Sequence, residues 1–136
     1  MLCLACGTAF AQFTFTEKES TPFPRVERSS IAFADVNKDG HQDVLITGNT
    51  GSERIAKLYL NDGSGGFTEK METPFAGVNN NDHDDRSIAF ADVNRDGNED
   101  VFITGWTGLG RIAKLYLNDG EGNFTEEEGT PFTGVQ

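Results

Sequence analysis

IAFADVNKDGHQDVLITGNTGSERIAKLYLNDGSGGFTEKMETPFAGV, residues 31–78, returns at residues 88–135 as IAFADVNRDGNEDVFITGWTGLGRIAKLYLNDGEGNFTEEEGTPFTGV. The two stretches align without a gap at an offset of 57 residues, and 35 of the 48 positions are identical. A period of this length marks stacked units, each too small to bury its own apolar face alone. Each copy carries one acidic loop: DVNKDGHQD (Asp35–Asp43) and DVNRDGNED (Asp92–Asp100).

Short apolar runs separated by Gly, Asn and Asp predict four strands per copy. In the first copy they are Ser30–Ala34, Val44–Gly48, Ile55–Leu60 and Phe67–Glu72; in the second, Ser87–Ala91, Val101–Trp106, Ile112–Leu117 and Phe124–Glu128. No helical period competes. The first strand alternates Ile31 and Phe33 with Ala32 and Ala34. The second is continuously apolar (Val44, Leu45, Ile46), as a strand buried on both faces should be. The third mixes in one lysine (Lys57, Lys114), and the fourth is mostly polar (Thr68, Glu69, Lys70). A sheet packed on both faces near an axis and wet at its rim has this gradient, which is that of a propeller blade. A plain antiparallel sandwich is the alternative, but it leaves the strict repeat unexplained. The expected architecture is therefore all-β: two tandem four-stranded antiparallel blades, an incomplete propeller.

Upstream, FTFTEKESTPF (Phe13–Phe23) matches FTEKMETPF (Phe67–Phe75), which predicts one extra N-terminal strand of the fourth type. The organisation that follows is an apolar segment at 1–11, the extra strand and its link at 12–29, blade one at 30–78, an acidic inter-blade loop at 79–86 and blade two at 87–136. The third and fourth strands are joined by LNDGSGGF (Leu60–Phe67) and LNDGEGNF (Leu117–Phe124). Their Asp-Gly pairs read as hairpin turns rather than ligands.

The acidic loops offer oxygen at alternate residues: Asp35, Asn37, Asp39, the carbonyl of His41, and Asp43; then Asp92, Asn94, Asp96, the carbonyl of Asn98, and Asp100. A hard cation that wants roughly six to eight oxygens, as calcium does, is suited to such a set. Gly40 allows a sharp turn after the third ligand. The loop is not an EF-hand: Ile46 and Ile103 stand where that loop carries its closing Glu, and the flanks are strands. The expectation is two calcium sites. The alternative is an Asn/Asp-rich turn that caps itself through side-chain hydrogen bonds.

The chain has 136 residues, 22 acidic and 11 basic, for a formal net charge of -11. That balance disfavours nucleic acid and anionic membrane, both polyanions, and no run of about 18 apolar residues could span a bilayer as a helix. The opening MLCLACGTAFAQ is apolar and uncharged and ends in Ala9-Phe10-Ala11, a small-x-small pattern that reads as a signal peptide cleaved after Ala11. If retained, it would serve as an apolar strand. Both cysteines, Cys3 and Cys6, lie in it, so metal is a better staple than disulfide for the rest. The expected location is secreted, extracellular or on the cell surface.

FADVNxDGxxDVxITG followed by IAKLYLNDGxGxFTE resembles the FG-GAP/VCBS repeat of integrin alpha-chain propellers and many secreted bacterial proteins. The resemblance spans nearly all of residues 13–136. It implies calcium in the loop between first and second strands, on Asp35, Asn37, Asp39, Asp43 and their second-copy equivalents, and typically a seven-bladed propeller. Two blades do not close such a ring. Near-identical blades imply instead that the back of blade two can pack on blade one of another copy, giving a ring or a filament, with strand addition by the leading segment. The reading is a calcium-binding structural protein that self-assembles as a homo-oligomer or fibre. The alternatives are an adhesin or lectin-like module with a glycan or protein ligand, and a fragment of a larger propeller protein. Trp106 could stack on a sugar or pack between subunits, with packing favoured. Asn79–Asp85 (NNNDHDD) reads as a solvated loop rather than a metal site, and Asn123-Phe124-Thr125 is a glycosylation sequon. Catalysis finds no support: His41 and His83 do not recur between repeats, and the repeated carboxylates serve better as ligands.

Overall fold

A computed structural model describes residues 14, 16–79 and 87–132. Among these residues eight strands form two antiparallel four-stranded meanders. The first sheet is β1 (Glu27–Ala34), β2 (Asp43–Asn49), β3 (Arg54–Asn61) and β4 (Phe67–Glu69); the second is β5 (Ser87–Ala91), β6 (Asp100–Trp106), β7 (Arg111–Asn118) and β8 (Phe124–Glu126). Register repeats with the sequence: Val44 pairs with Tyr59 and Val101 with Tyr116, Tyr59 with Glu69 and Tyr116 with Glu126. The expected pair of blades is present. No helix among the described residues is long and apolar enough to cross a membrane.

The blades stack face to face. Ala34, Val36, Leu45 and Leu58 on the back of blade one share a core with Val101, Ile103, Tyr116 and Phe124 of blade two, joined by Ile88 and Phe90. A second cluster covers the front of blade one: Val44, Ile46 and Tyr59 against Phe23, Val26 and Phe67. Val44, Leu45 and Ile46 are all buried, as the continuous apolar run of β2 predicts.

The extra N-terminal strand expected within 12–29 begins outside the described residues, and among those described no strand precedes Glu27. One expectation is corrected: the fourth strands are shorter than expected, ending at Glu69 and Glu126. Ser20, Glu72 and Gly129 each precede a Thr-Pro-Phe triplet and each takes a left-handed backbone, with φ of 63°, 61° and 77°. That conformation breaks a strand, and the proline that follows has no N–H for a ladder. The triplets instead deliver a phenylalanine to the face of a blade. The apolar segment 1–11 with Cys3 and Cys6, and most of the acidic inter-blade loop, lie outside the described residues.

The link between blades passes close to the sheet. A Cβ on Gly77 would lie 2.1 Å from the Arg54 carbonyl oxygen, so only glycine fits there. Beyond it, Asn79 exchanges backbone hydrogen bonds with Trp106 at 3.0 and 3.1 Å, which seats the half-buried Trp106 against the link.

Leu58, fully buried between blades, should cost about 2–5 kcal/mol of stability when cut to alanine. Leu109, 98% exposed at a turn, should change stability by less than about 0.5 kcal/mol when so cut. Urea unfolding of Leu58→Ala and Leu109→Ala checks both values.

Candidate functional site

The acidic loops connect β1 to β2 and β5 to β6. Lys38 and Arg95 turn left-handed at φ 59° and 64°, and Gly40 and Gly97 follow at 86° and 85°. This winds the chain around its own carboxylates. Asp35 accepts the N–H groups of Asp39 (3.1 Å) and Gly40 (2.9 Å). Asn37 accepts from Asp39 N–H at 3.2 Å and donates its amide to Asp39 Oδ2 at 2.8 Å. Asp39 Oδ1 accepts the His41 N–H at 2.9 Å. The second loop repeats the set on Asp92, Asn94, Asp96 and Asn98.

Asp43 and Asp100 do something different. Both are fully buried. Asp43 Oδ2 accepts Val36 N–H at 3.0 Å and its Oδ1 accepts Asn61 N–H at 2.8 Å; Asp100 does the same with Val93 and Asn118. Each closing aspartate therefore ties its loop to the hairpin between third and fourth strands. The side chain at position 41 or 98 reaches the same hairpin. The His41 ring lies over Gly63, and Asn98 donates to the Asn118 carbonyl at 3.2 Å.

Asp35, Asn37 and Asp39 thus gather on one rim while Asp43 braces from behind, and likewise in the second loop. Among the described residues no three His, Cys, Asp or Glu side chains converge as a metal cluster. The donor chemistry nevertheless fits a hard cation. Each carboxylate oxygen spent on one N–H keeps a second lone pair, and Asp39 and Asp96 are held ionised. The Asn37 amide and then the His41 N–H lower Asp39 below its ordinary 3.8. For Asp96 the Asn98 N–H is the larger cause, followed by the Asn94 amide. Burial pushes the Asp43 carboxyl up, opposed by its two backbone bonds.

The model of the FG-GAP-like repeat matches residues 35–103, from the first acidic loop into β6. The chain belongs to the FG-GAP-like repeat family. Comparisons with curated proteins and with solved structures returned no match. The FG-GAP-like match covers half the chain and brackets both loops.

Two groups of residues escaped the sequence reading. Asn118, buried in the second hairpin, donates to the Val36 carbonyl at 2.9 Å and so links blade two to the acidic loop of blade one. The ring pockets are the other. Phe75 meets Tyr116 edge-on at 5.1 Å and Phe124 at 5.0 Å, and Phe23 meets Tyr59 and Phe67 at the same distances. The threefold Thr-Pro-Phe is the signal for them that the sequence carries.

The hairpin aspartates cap their turns as expected. Asp62 accepts the Ser64 hydroxyl and the N–H groups of Ser64 and Gly66, each at 2.8 Å, and Asp119 accepts Glu121 N–H and the Asn123 amide. These bonds lower both carboxyls, the Ser64 hydroxyl acting first on Asp62 and the Asn123 side chain first on Asp119. A lowered folded value means stabilisation that is complete above the unfolded value and lost as pH falls through the folded one. In chelator, the melting temperature should therefore drop as pH falls below about 4. The drop should be shallower in the Asp62→Asn, Asp119→Asn double variant, as followed by circular dichroism. Asp43→Ala should cost about 2–4 kcal/mol, because it strands two backbone N–H groups; urea unfolding reads this directly.

Proposed function

We propose that this FG-GAP-like repeat protein is a secreted, calcium-braced structural element whose copies stack head to tail. One observation carries the reading: the two outer faces of the blade pair are the two halves of the junction between the blades. Within the chain, Val36 is 1% exposed beneath blade two, while its counterpart Val93 is 52% exposed. Leu45 and Leu58 are fully buried, while Phe102 and Leu115 are half-buried. On the other side, Ile88 and Phe90 join the inter-blade core, while Ile31 and Phe33 are 57% and 59% exposed. What blade two offers at its back is what blade one receives at its front. Repeating an internal contact between copies generates a ring if the rotation closes and a filament if it does not.

The polar contacts are matched too. Asn118 uses its side-chain amide on both Val36 and Glu99 carbonyls. Its counterpart Asn61 donates to the Gln42 carbonyl, and a second copy would offer it the carbonyl of Val93. The acidic loop of each blade thus sits at the junction with the next. Calcium bound on Asp35, Asn37, Asp39, the His41 carbonyl and Asp43, and on their equivalents from Asp92 to Asp100, would stiffen the edge on which the next blade rests. Oxygen donors at alternating positions, with Asp39 and Asp96 held ionised, support calcium as the cation. The apolar opening segment supports secretion.

Calorimetric titration with calcium should give two sites per chain. Calcium should raise the melting temperature, and Asp39→Ala with Asp96→Ala should abolish both effects. A wild-type melting temperature indifferent to calcium and chelator contradicts the calcium reading. Light scattering should show particles larger than one chain that shrink on chelation; a single chain mass under all conditions contradicts assembly.

A further inference from the structure

The front pocket of blade one is filled by a segment that fits it incompletely. Phe23 and Phe75 make equivalent ring contacts, but the residues that follow them differ: Ala76-Gly77 after Phe75, Pro24-Arg25 after Phe23. The Ala76 N–H donates to the Tyr116 hydroxyl at 3.1 Å. Pro24 occupies the corresponding position and has no N–H to give. The Tyr59 hydroxyl is accordingly buried with no hydrogen-bond partner, in a residue that is itself fully buried. An orphaned buried polar group of this kind is destabilising.

A third triplet, Thr130-Pro131-Phe132, finds no Tyr–Phe pocket among the described residues. Phe132 rests on Phe102 with ring centres 4.8 Å apart and stays 47% exposed. Its sequence continues Thr133-Gly134-Val135, against Ala76-Gly77-Val78 in the internal link. Thr133 has the N–H that Pro24 lacks. Gly134 supplies the glycine that the passage beside the sheet requires at Gly77, where the leading segment has Arg25.

We propose that the Thr130–Phe132 segment of one copy displaces Thr21–Phe23 from the Tyr59–Phe67 pocket of a second copy, with Thr133 N–H donating to the Tyr59 hydroxyl. The proposal rests on the head-to-tail reading and specifies its latch. One phenylalanine replaces another, so ring packing is nearly unchanged by the exchange. The burial of Phe132 is offset by the release of Phe23, so the net gain is the hydrogen bond to Tyr59. The leading segment acts as a stand-in that covers the front of blade one before assembly. Lys18, which donates to the Gly65 carbonyl, holds it on the hairpin that corresponds to the one covering Val36 inside the chain.

The test is the self-association constant of the full chain, measured by light scattering across concentrations in calcium. Thr133→Pro removes the incoming donor and should weaken association about tenfold, the worth of one buried hydrogen bond. Pro24→Ala gives the resident segment an N–H of its own and should weaken association by a similar factor. Phe132→Ala should weaken it further, and Phe23→Ala, which empties the pocket, should strengthen it. Circular dichroism confirms that each variant is folded. If the wild type associates but all four variants match it, the latch is overturned while head-to-tail stacking stands. If the wild type stays a single chain at every concentration, both are overturned.

Discussion

A four-stranded blade with a continuously apolar second strand has two faces to cover, and a partner blade covers only one of them. The rest of the molecule follows from this constraint. Burial of apolar area is the main favourable term in folding, so the back of blade one takes the front of blade two as its core. Front and back then remain at the two ends. The front of blade one is covered by Phe23 and Val26. The back of blade two has Phe132 resting on Phe102. Ile31, Phe33 and Val93 stay exposed. The proposed association rests on these exposed apolar residues.

The acidic loops are coupled to this packing through Asp43 and Asp100. Each closing aspartate is spent on backbone N–H groups of its own loop and of the neighbouring hairpin. A loop that changes shape therefore pulls on the hairpin, and the hairpin of blade two touches Val36 in blade one. Loop geometry and blade stacking share these few bonds. A cation held in the loop, as proposed, would act on the interface through them, without a hinge or a helix.

The blades were legible in the sequence because the polarity gradient across four strands reports burial directly. The offset of 57 residues then made the second blade follow from the first, register included. What escaped was set by backbone conformation. Thr-Pro-Phe looks like a strand end, yet a left-handed residue before it turns the chain out of the sheet, and the same three letters become a plug. Ser20 and Glu72 carry no glycine to announce that turn. The closing aspartates were read as ligands alone, whereas in the fold Asp43 and Asp100 are braces first. Their burial depends on a hairpin some eighteen residues downstream, which spacing within the loop does not reveal. Asn61 and Asn118 sat beside the aspartates that define the turn and were overlooked for that reason.

The central claim is that the two end faces are the halves of one junction, and mixing two blocked variants tests it most directly. Ile31→Lys with Phe33→Lys closes the front of blade one; Val93→Lys with Phe102→Lys closes the back of blade two. Light scattering of each variant alone should give the mass of one chain. Mixed in equal amounts, they retain one open front and one open back, and should give a particle of twice that mass and no larger. A mixture that stays at the mass of one chain while the wild type assembles, or a blocked variant that assembles alone, would contradict the account.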